Sequence, residues 1–215
     1  MHPDIIYKLR LGLERREQLT DWEQGFMKSL NDHYDKHKHL SDRQVEILDK
    51  VYRESLSDSA VSAASRWEKE YDAEKRRIAN VCAKYYKANG YFTELAFDIL
   101  NTPDFIPTEK QWKKMCCNKY AAKVLFEFDK EPSFADGSLV ELRSTAPWSI
   151  KASAKGMPCV VISSGGDILR AAKGSKPYRV LPFGSAAVIE CEERDLKACK
   201  NPKKRKKYID NSVPF

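Results

Sequence analysis

Two stretches near the carboxyl end hold the side chains best suited to gripping a charged polymer. Residues 144–156 carry Trp148, Lys151 and Lys155; residues 163–176 carry Gly165, Gly166, Arg170, Lys173 and Lys176, and Arg179 follows shortly after. An exposed indole can stack on an unpaired base while neighbouring cations hold phosphates, and such binding tolerates many sequences. The run Ser163 to Asp167 adds consecutive backbone N–H groups that could face an anion, although the Walker pattern is absent and a hairpin needs glycine in any case.

Charge is concentrated in the same region. Of the formal +7, residues 133–215 account for all, because residues 1–60 are net −2 and residues 61–132 net +2. Much of the excess comes from Lys200, Lys203, Lys204, Arg205, Lys206 and Lys207. A basic tail attracts polyanions with a steep salt dependence; a solubilising end and a nuclear import signal have the same composition.

Other reactive residue types form weaker patterns. His33 and His37 are spaced to share a helix face, with His39 close by, as metal ligands can be; a solvated helix end explains them as well. The six cysteines, Cys82, Cys116, Cys117, Cys159, Cys191 and Cys199, contain no C-x-x-C chelate and read as small, reduced, buried thiols. No H-E-x-x-H, G-x-S-x-G, dinucleotide fingerprint or kinase set is present, so neither an enzyme nor a cofactor is expected.

The elements that must position these residues are legible from periodicity. Phe134 to Ser138 contains the Asp136-Gly137 turn signal, and Leu139 to Arg143 then alternates as a half-buried strand. Cys159 to Ile162, Tyr178 to Leu181 and Ala186 to Cys191 follow as strands, the last two joined by Leu181-Pro-Phe-Gly184, a type I turn sequence. Glu192 to Leu196 reads as a short helical turn with Leu196 as a plug.

The order GSLVELR, variable loop, VVIS, loop, YRVLPFG, AAVIECEERDLK resembles the SH3-like barrels of the KOW and Tudor type. That resemblance implies a small barrel over residues 133–199 that binds nucleic acid, a ribosomal surface or a peptide, followed by a basic tail at 200–215.

Residues 1–130 read as a helical domain. Thr20 to Glu23, Ser41 to Gln44 and Thr108 to Gln111 each have the form of a capping box. The first two open a helical hairpin over about 20–56. Leu56 to Ala64, rich in serine and alanine, is the expected break. A long helix through Trp67, Tyr71, Ile78, Val81, Cys82 and Tyr85 is then expected to stop at Gly90. Ten of the 23 aromatic residues fall between Tyr85 and Phe128, within the aromatic-rich helices of about 63–129. An aromatic core explains them; a stacking surface at Tyr85, Tyr86, Tyr91 or Trp112 beside nearby lysines is the alternative. The stretch LTDWEQGFMKSL…LSDRQVEILDKV resembles helical segments of uncharacterised phage and mobile-element proteins, and a phage origin is what that resemblance implies.

With 42% hydrophobic and 32% charged residues, the chain can bury a core. No apolar run of about 18 residues is present, so no membrane is expected as a partner. Met1 to Lys8 lacks the features of a secretory signal, which points to the cytoplasm. The expected fold is therefore α+β, an N-terminal helical bundle followed by a small C-terminal SH3-like β-barrel and a basic tail. The expected function is a non-catalytic accessory protein that binds nucleic acid, DNA or RNA, and contacts another protein through its helices. An adaptor that uses the barrel to bind a peptide or polymerase surface is the rival.

Overall fold

The computed structural model describes residues 3–200, the side chain of Asp21 excepted. Helices α1 (Pro3–Glu14), α2 (Asp21–His37), α3 (Asp42–Val51) and α4 (Asp58–Glu70) come first, with a wide π-type turn at Tyr52–Leu56. Helices α5 (Ala73–Asn89), α6 (Thr93–Asn101), α7 (Glu109–Cys116) and α8 (Lys119–Asp129) follow. The rest comprises β1 (Leu139–Leu142), α9 (Trp148–Ala154), β2 (Cys159–Ser164), β3 (Pro177–Pro182), β4 (Ile189–Glu192), a 3-10 turn at Glu193–Asp195 and β5 (Leu196–Ala198). The chain divides into two units at the Tyr71–Asp72 junction.

All three capping boxes form. Thr20, Ser41 and Thr108 each accept from the backbone N–H three residues on, while Glu23, Gln44 and Gln111 reach back to the cap. Each box satisfies two N–H groups that the first helical turn otherwise leaves unpaired. The expected break at Leu56 to Ala64 is instead mostly helical. Ser57 caps α4 by accepting from the Ala60 amide, and the interruption falls at Tyr71, after which the Asp72 side chain caps α5 by accepting from the Lys75 amide.

In the first unit, Leu9, Met27, Leu30, Leu48, Val51 and Leu56 are among the buried residues of one core. Gly12 allows α1 to lie close to α2: a Cβ there would stand 2.2 Å from the Met27 Cε.

In the second unit, Cys82, Tyr86, Ala96, Met115, Ala121 and Val124 help build a helical core that also takes in Ile168 from the β2–β3 connection. Gly90 closes α5 in the left-handed region at φ 72°, and Tyr91 N–H bonds back to the Tyr86 carbonyl at 3.0 Å, as helix C-terminal motifs do.

The strands form one antiparallel sheet in the order β4-β3-β2-β1-β5. The sheet is open, so the expected closed barrel is corrected: β4 and β5 are its two edges and do not pair. Short strands and the 3-10 turn explain this, since the turn carries the chain from one edge to the other without adding ladder bonds. Inner-face residues Val140, Cys159, Val161, Tyr178, Val180 and Leu196 make a second core under α9.

The sheet and the helices of this unit meet at a buried carboxylate. Glu193, 8% exposed, pairs with Lys130 just after α8 and accepts from the Ser133 amide at 3.1 Å and the Tyr178 hydroxyl at 3.3 Å. Tyr178 in turn accepts from the Phe134 amide at 3.1 Å. The Glu193 amide donates to the Lys176 carbonyl at 2.8 Å. Burial pushes the Glu193 carboxyl upward, but its bonds from Lys130 and Ser133 outweigh that and hold it below the ordinary glutamate value.

Glu193 therefore contributes its full stability above the ordinary value of 4.5, and loses it as the pH falls through the lower folded-state value. Glu193→Ala is expected to lower the unfolding free energy near neutral pH by roughly 3 kcal/mol, the low end for breaking a buried pair, because Lys130 keeps some solvent contact. In denaturant titrations the deficit should shrink as the pH falls below 4.5; a deficit that does not change with pH would contradict this role. Glu127, on α8, is 1% exposed and neither of its oxygens has a hydrogen-bond partner. Glu127→Met is expected to raise stability by roughly 1–2 kcal/mol, and a loss of stability would show that the carboxylate is satisfied in solution.

Candidate nucleic-acid interface

Residues 144–156, expected as a loop, contain helix α9. Pro147 precedes its first turn, and Ile150 and Ala154, one helical turn apart, pack against the inner face of the sheet. With that face fixed, a rotation of about 100° per residue places Trp148 and Lys151 on the outward side. Proline before a segment with Ile150 and Ala154 at i, i+4 was the signal for this helix.

Trp148 is 79% exposed. Lys151 is half-buried and donates from Nζ to the Ser144 carbonyl at 2.8 Å, which ties the approach from β1 to the helix. Lys155 ends α9 in the left-handed conformation at φ 50° and is exposed. The arrangement is an exposed indole on a helix seated on a sheet, with one lysine tied to the Ser144 carbonyl and another at the helix end. It offers stacking and charge and no nucleophile–base pair.

The remaining predicted residues are not gathered there. Arg170 pairs with Glu192 at 3.4 Å, and Lys173 is exposed on the same connection. Arg179 is exposed on the outer face of β3, directly across from Glu190 of β4. Lys176 is corrected as a surface contact: it is 4% exposed and its Nζ donates to the Phe128 carbonyl at 3.0 Å, capping the end of α8. Lys203, Lys204, Arg205, Lys206 and Lys207 lie outside the described residues.

The β2–β3 connection that carries Arg170, Lys173 and Lys176 is fastened to the helices. Ile168 enters their core, Asp167 pairs with Lys84 at 2.8 Å, and Asn89 donates to the Leu169 carbonyl at 3.0 Å. Gly174 is required by the same packing: at φ 72° a Cβ would come within 2.9 Å of Arg194, whose amide donates to the Gly174 carbonyl at 2.9 Å. This connection acts as a strap.

His33, His37 and His39 do gather at the end of α2. Their ring centroids are 4.5, 6.1 and 6.2 Å apart, and His39 Nδ1 lies 3.0 Å from the His37 carbonyl. Among the described residues, however, no group of three or more His, Cys, Asp or Glu side chains is arranged to hold a metal. A 380 Å³ cleft between α1 and α2 is lined by Ile6, Leu9, Leu13 and Tyr34, with Asp35 at its wall paired to Lys38 at 3.8 Å. Burial raises the thiols of Cys159 and Cys191, to about 11 and about 12, which makes them poor nucleophiles. No described helix is long and apolar enough to cross a membrane.

Comparison of the chain with protein-family models, with characterised proteins and with solved structures gives no match.

If Trp148 is presented and Ile150 is packed, the two must respond differently to truncation. Trp148→Ala is expected to change the unfolding free energy by less than about 0.5 kcal/mol, whereas Ile150→Ala costs roughly 1–2 kcal/mol for its half-buried side chain. Equal costs in chemical denaturation would mean that the indole is a structural residue.

Proposed function

We propose that this α+β protein is a non-catalytic nucleic-acid-binding accessory protein that holds single-stranded DNA or RNA through α9. The observation that carries the reading is the 79% exposure of Trp148 in the first turn of α9, a helix that also carries Lys151 and ends at exposed Lys155. A large ring left in water gains most from a partner that also offers a flat apolar face, and an unpaired base is such a partner. The flanking ammonium groups suit the phosphates on either side. A peptide without acidic residues would use the ring equally well but has no need of the lysines.

The strand order supports the finer fold assignment. A four-strand meander whose chain returns through a 3-10 turn to pair β5 with β1, on the far side from β2, is the connectivity of a half-open SH3-like barrel. In this reading α9 occupies the first long connection, where such domains carry ligand contacts. The basic residues 203–207 add nonspecific attraction for phosphates through their charge alone.

Fluorescence anisotropy with labelled single-stranded and duplex DNA and RNA at two ionic strengths tests this reading. Single strands are expected to bind more tightly than duplexes. Trp148→Ala should weaken binding about tenfold across unrelated sequences, as loss of one stacked base does, and Lys151→Ala with Lys155→Ala should reduce the salt slope by about 2. Unchanged affinity in the Trp148 variant overturns the assignment, and absence of oligonucleotide binding at low salt favours the adaptor.

A further inference from the structure

Nucleic-acid contact need not stop at α9, because the helical part of the same unit carries a second combination of rings and unopposed charge. Residues 110–126 contain five lysines and are bounded by Glu109 and the buried Glu127. Lys113 is taken up by Glu109 at 2.5 Å. Lys114, Lys119 and Lys123 are exposed and make no ion pair among the described residues. Lys119 and Lys123, at i and i+4, stand on the outer side of α8 with Tyr120 at its edge and Phe126 one turn further on. Tyr120 is 48% exposed and Phe126 is 66% exposed.

The neighbouring turn brings a third ring to the same place. Gly90 and Phe92 both adopt left-handed backbone, at φ 72° and φ 50°, and Tyr91 between them is 65% exposed. Such a conformation is rare for an aromatic residue. Its result is that Phe92 turns inward onto Tyr86, with ring centroids 4.9 Å apart, while Tyr91 is left outside. Buried Tyr85 lies next to Tyr86, at 4.9 Å between ring centroids, and the Tyr86 hydroxyl donates to the Asn118 side chain at the start of α8 at 3.0 Å. Lys114 sits 5.7 Å over the Phe92 ring and Lys119 lies 5.1 Å over the Tyr120 ring, so the ammonium groups already border the aromatic faces. Glu94, in the first turn of α6, is the carboxylate nearest in sequence to Tyr91.

We infer that this junction of α5, α6, α7 and α8 is a second nucleic-acid-binding face, on which Tyr91, Tyr120 and Phe126 take unpaired bases and Lys114, Lys119 and Lys123 take the intervening phosphates. The inference extends the reading of α9 and rests on its ligand class. A single strand is the ligand, rather than a duplex, because separate rings between cations can each receive one base. An anionic membrane surface shares the charge requirement, and the test separates the two.

The wild-type chain is photo-crosslinked to an oligonucleotide of about 25 nucleotides carrying 4-thiouridine, a length chosen to exceed the few nucleotides one small module holds, and the adducts are located by mass spectrometry. Adducts at Tyr91, Tyr120 or Phe126 are expected besides those at Trp148. Lys119→Ala with Lys123→Ala is expected to reduce those helical adducts several-fold while leaving the Trp148 adducts. Adducts confined to Trp148 overturn the second face and leave the first. Adducts confined to the helices support the second face and remove α9. Absence of adducts, with or without binding to vesicles of anionic phospholipid, overturns both.

Discussion

The second unit depends on what surrounds one carboxylate. A charge as buried as Glu193 is unfavourable unless nearly every lone pair is engaged, and its partners come from two segments distant from it in sequence. Lys130 and Ser133 belong to the connection after α8, Tyr178 to β3, and the backbone bond to Lys176 to the start of that strand. Satisfying Glu193 therefore fixes the exit of α8, the first turn of the sheet region and the corner between β4 and β5 at once. Lys176 adds a second fastening by capping the Phe128 carbonyl.

That join bears on the proposed interface. A ring and two ammonium groups can select a ligand only if their mutual position is held before binding, since ordering them at the moment of contact costs affinity. Here Ile150 and Ala154 seat α9 on the sheet, Lys151 ties it to the Ser144 carbonyl, and the sheet is anchored to α5–α8 through Glu193 and the strap at residues 165–176. Trp148, Tyr120 and Phe126, with Lys114, Lys119 and Lys123, stand on helices, which hold side chains more closely than loops do, and Tyr91 stands on the turn between α5 and α6.

Elements governed by local chemistry were readable from the residues. The three capping boxes need only a hydroxyl and a carboxylate or amide three residues apart, and all three form. Gly90 as a stop and the first three strands depend likewise on short patterns, whereas the expected fourth strand at Ala186 to Cys191 begins only at Ile189, and Leu196, expected in a helical turn, opens β5. What long-range packing decides was not readable. The serine and alanine of residues 57–64 suit a helix once Ser57 caps it, and nothing nearby says that Asp72 restarts the chain instead. Residues 144–156 look like a loop because α9 is only seven residues long and owes its stability to the sheet beneath it. Lys176 looks like a surface cation because its acceptor, Phe128, is far away in sequence. Of the candidate interface, the ring and its two flanking lysines were visible, whereas Tyr120 and Phe126 were absorbed into an assumed aromatic core.

The account stands on the sheet and α5–α8 opening as one body, and native-state hydrogen exchange of individual amides measures this directly. Amides in the middle of α5, such as Cys82, and of β3, such as Val180, should exchange through a single opening reaction with a common free energy and a common denaturant dependence. If the β3 amides exchange through a separate, much less costly opening while α5 stays protected, the buried carboxylate does not join the two, and the platform proposed for α9 is lost.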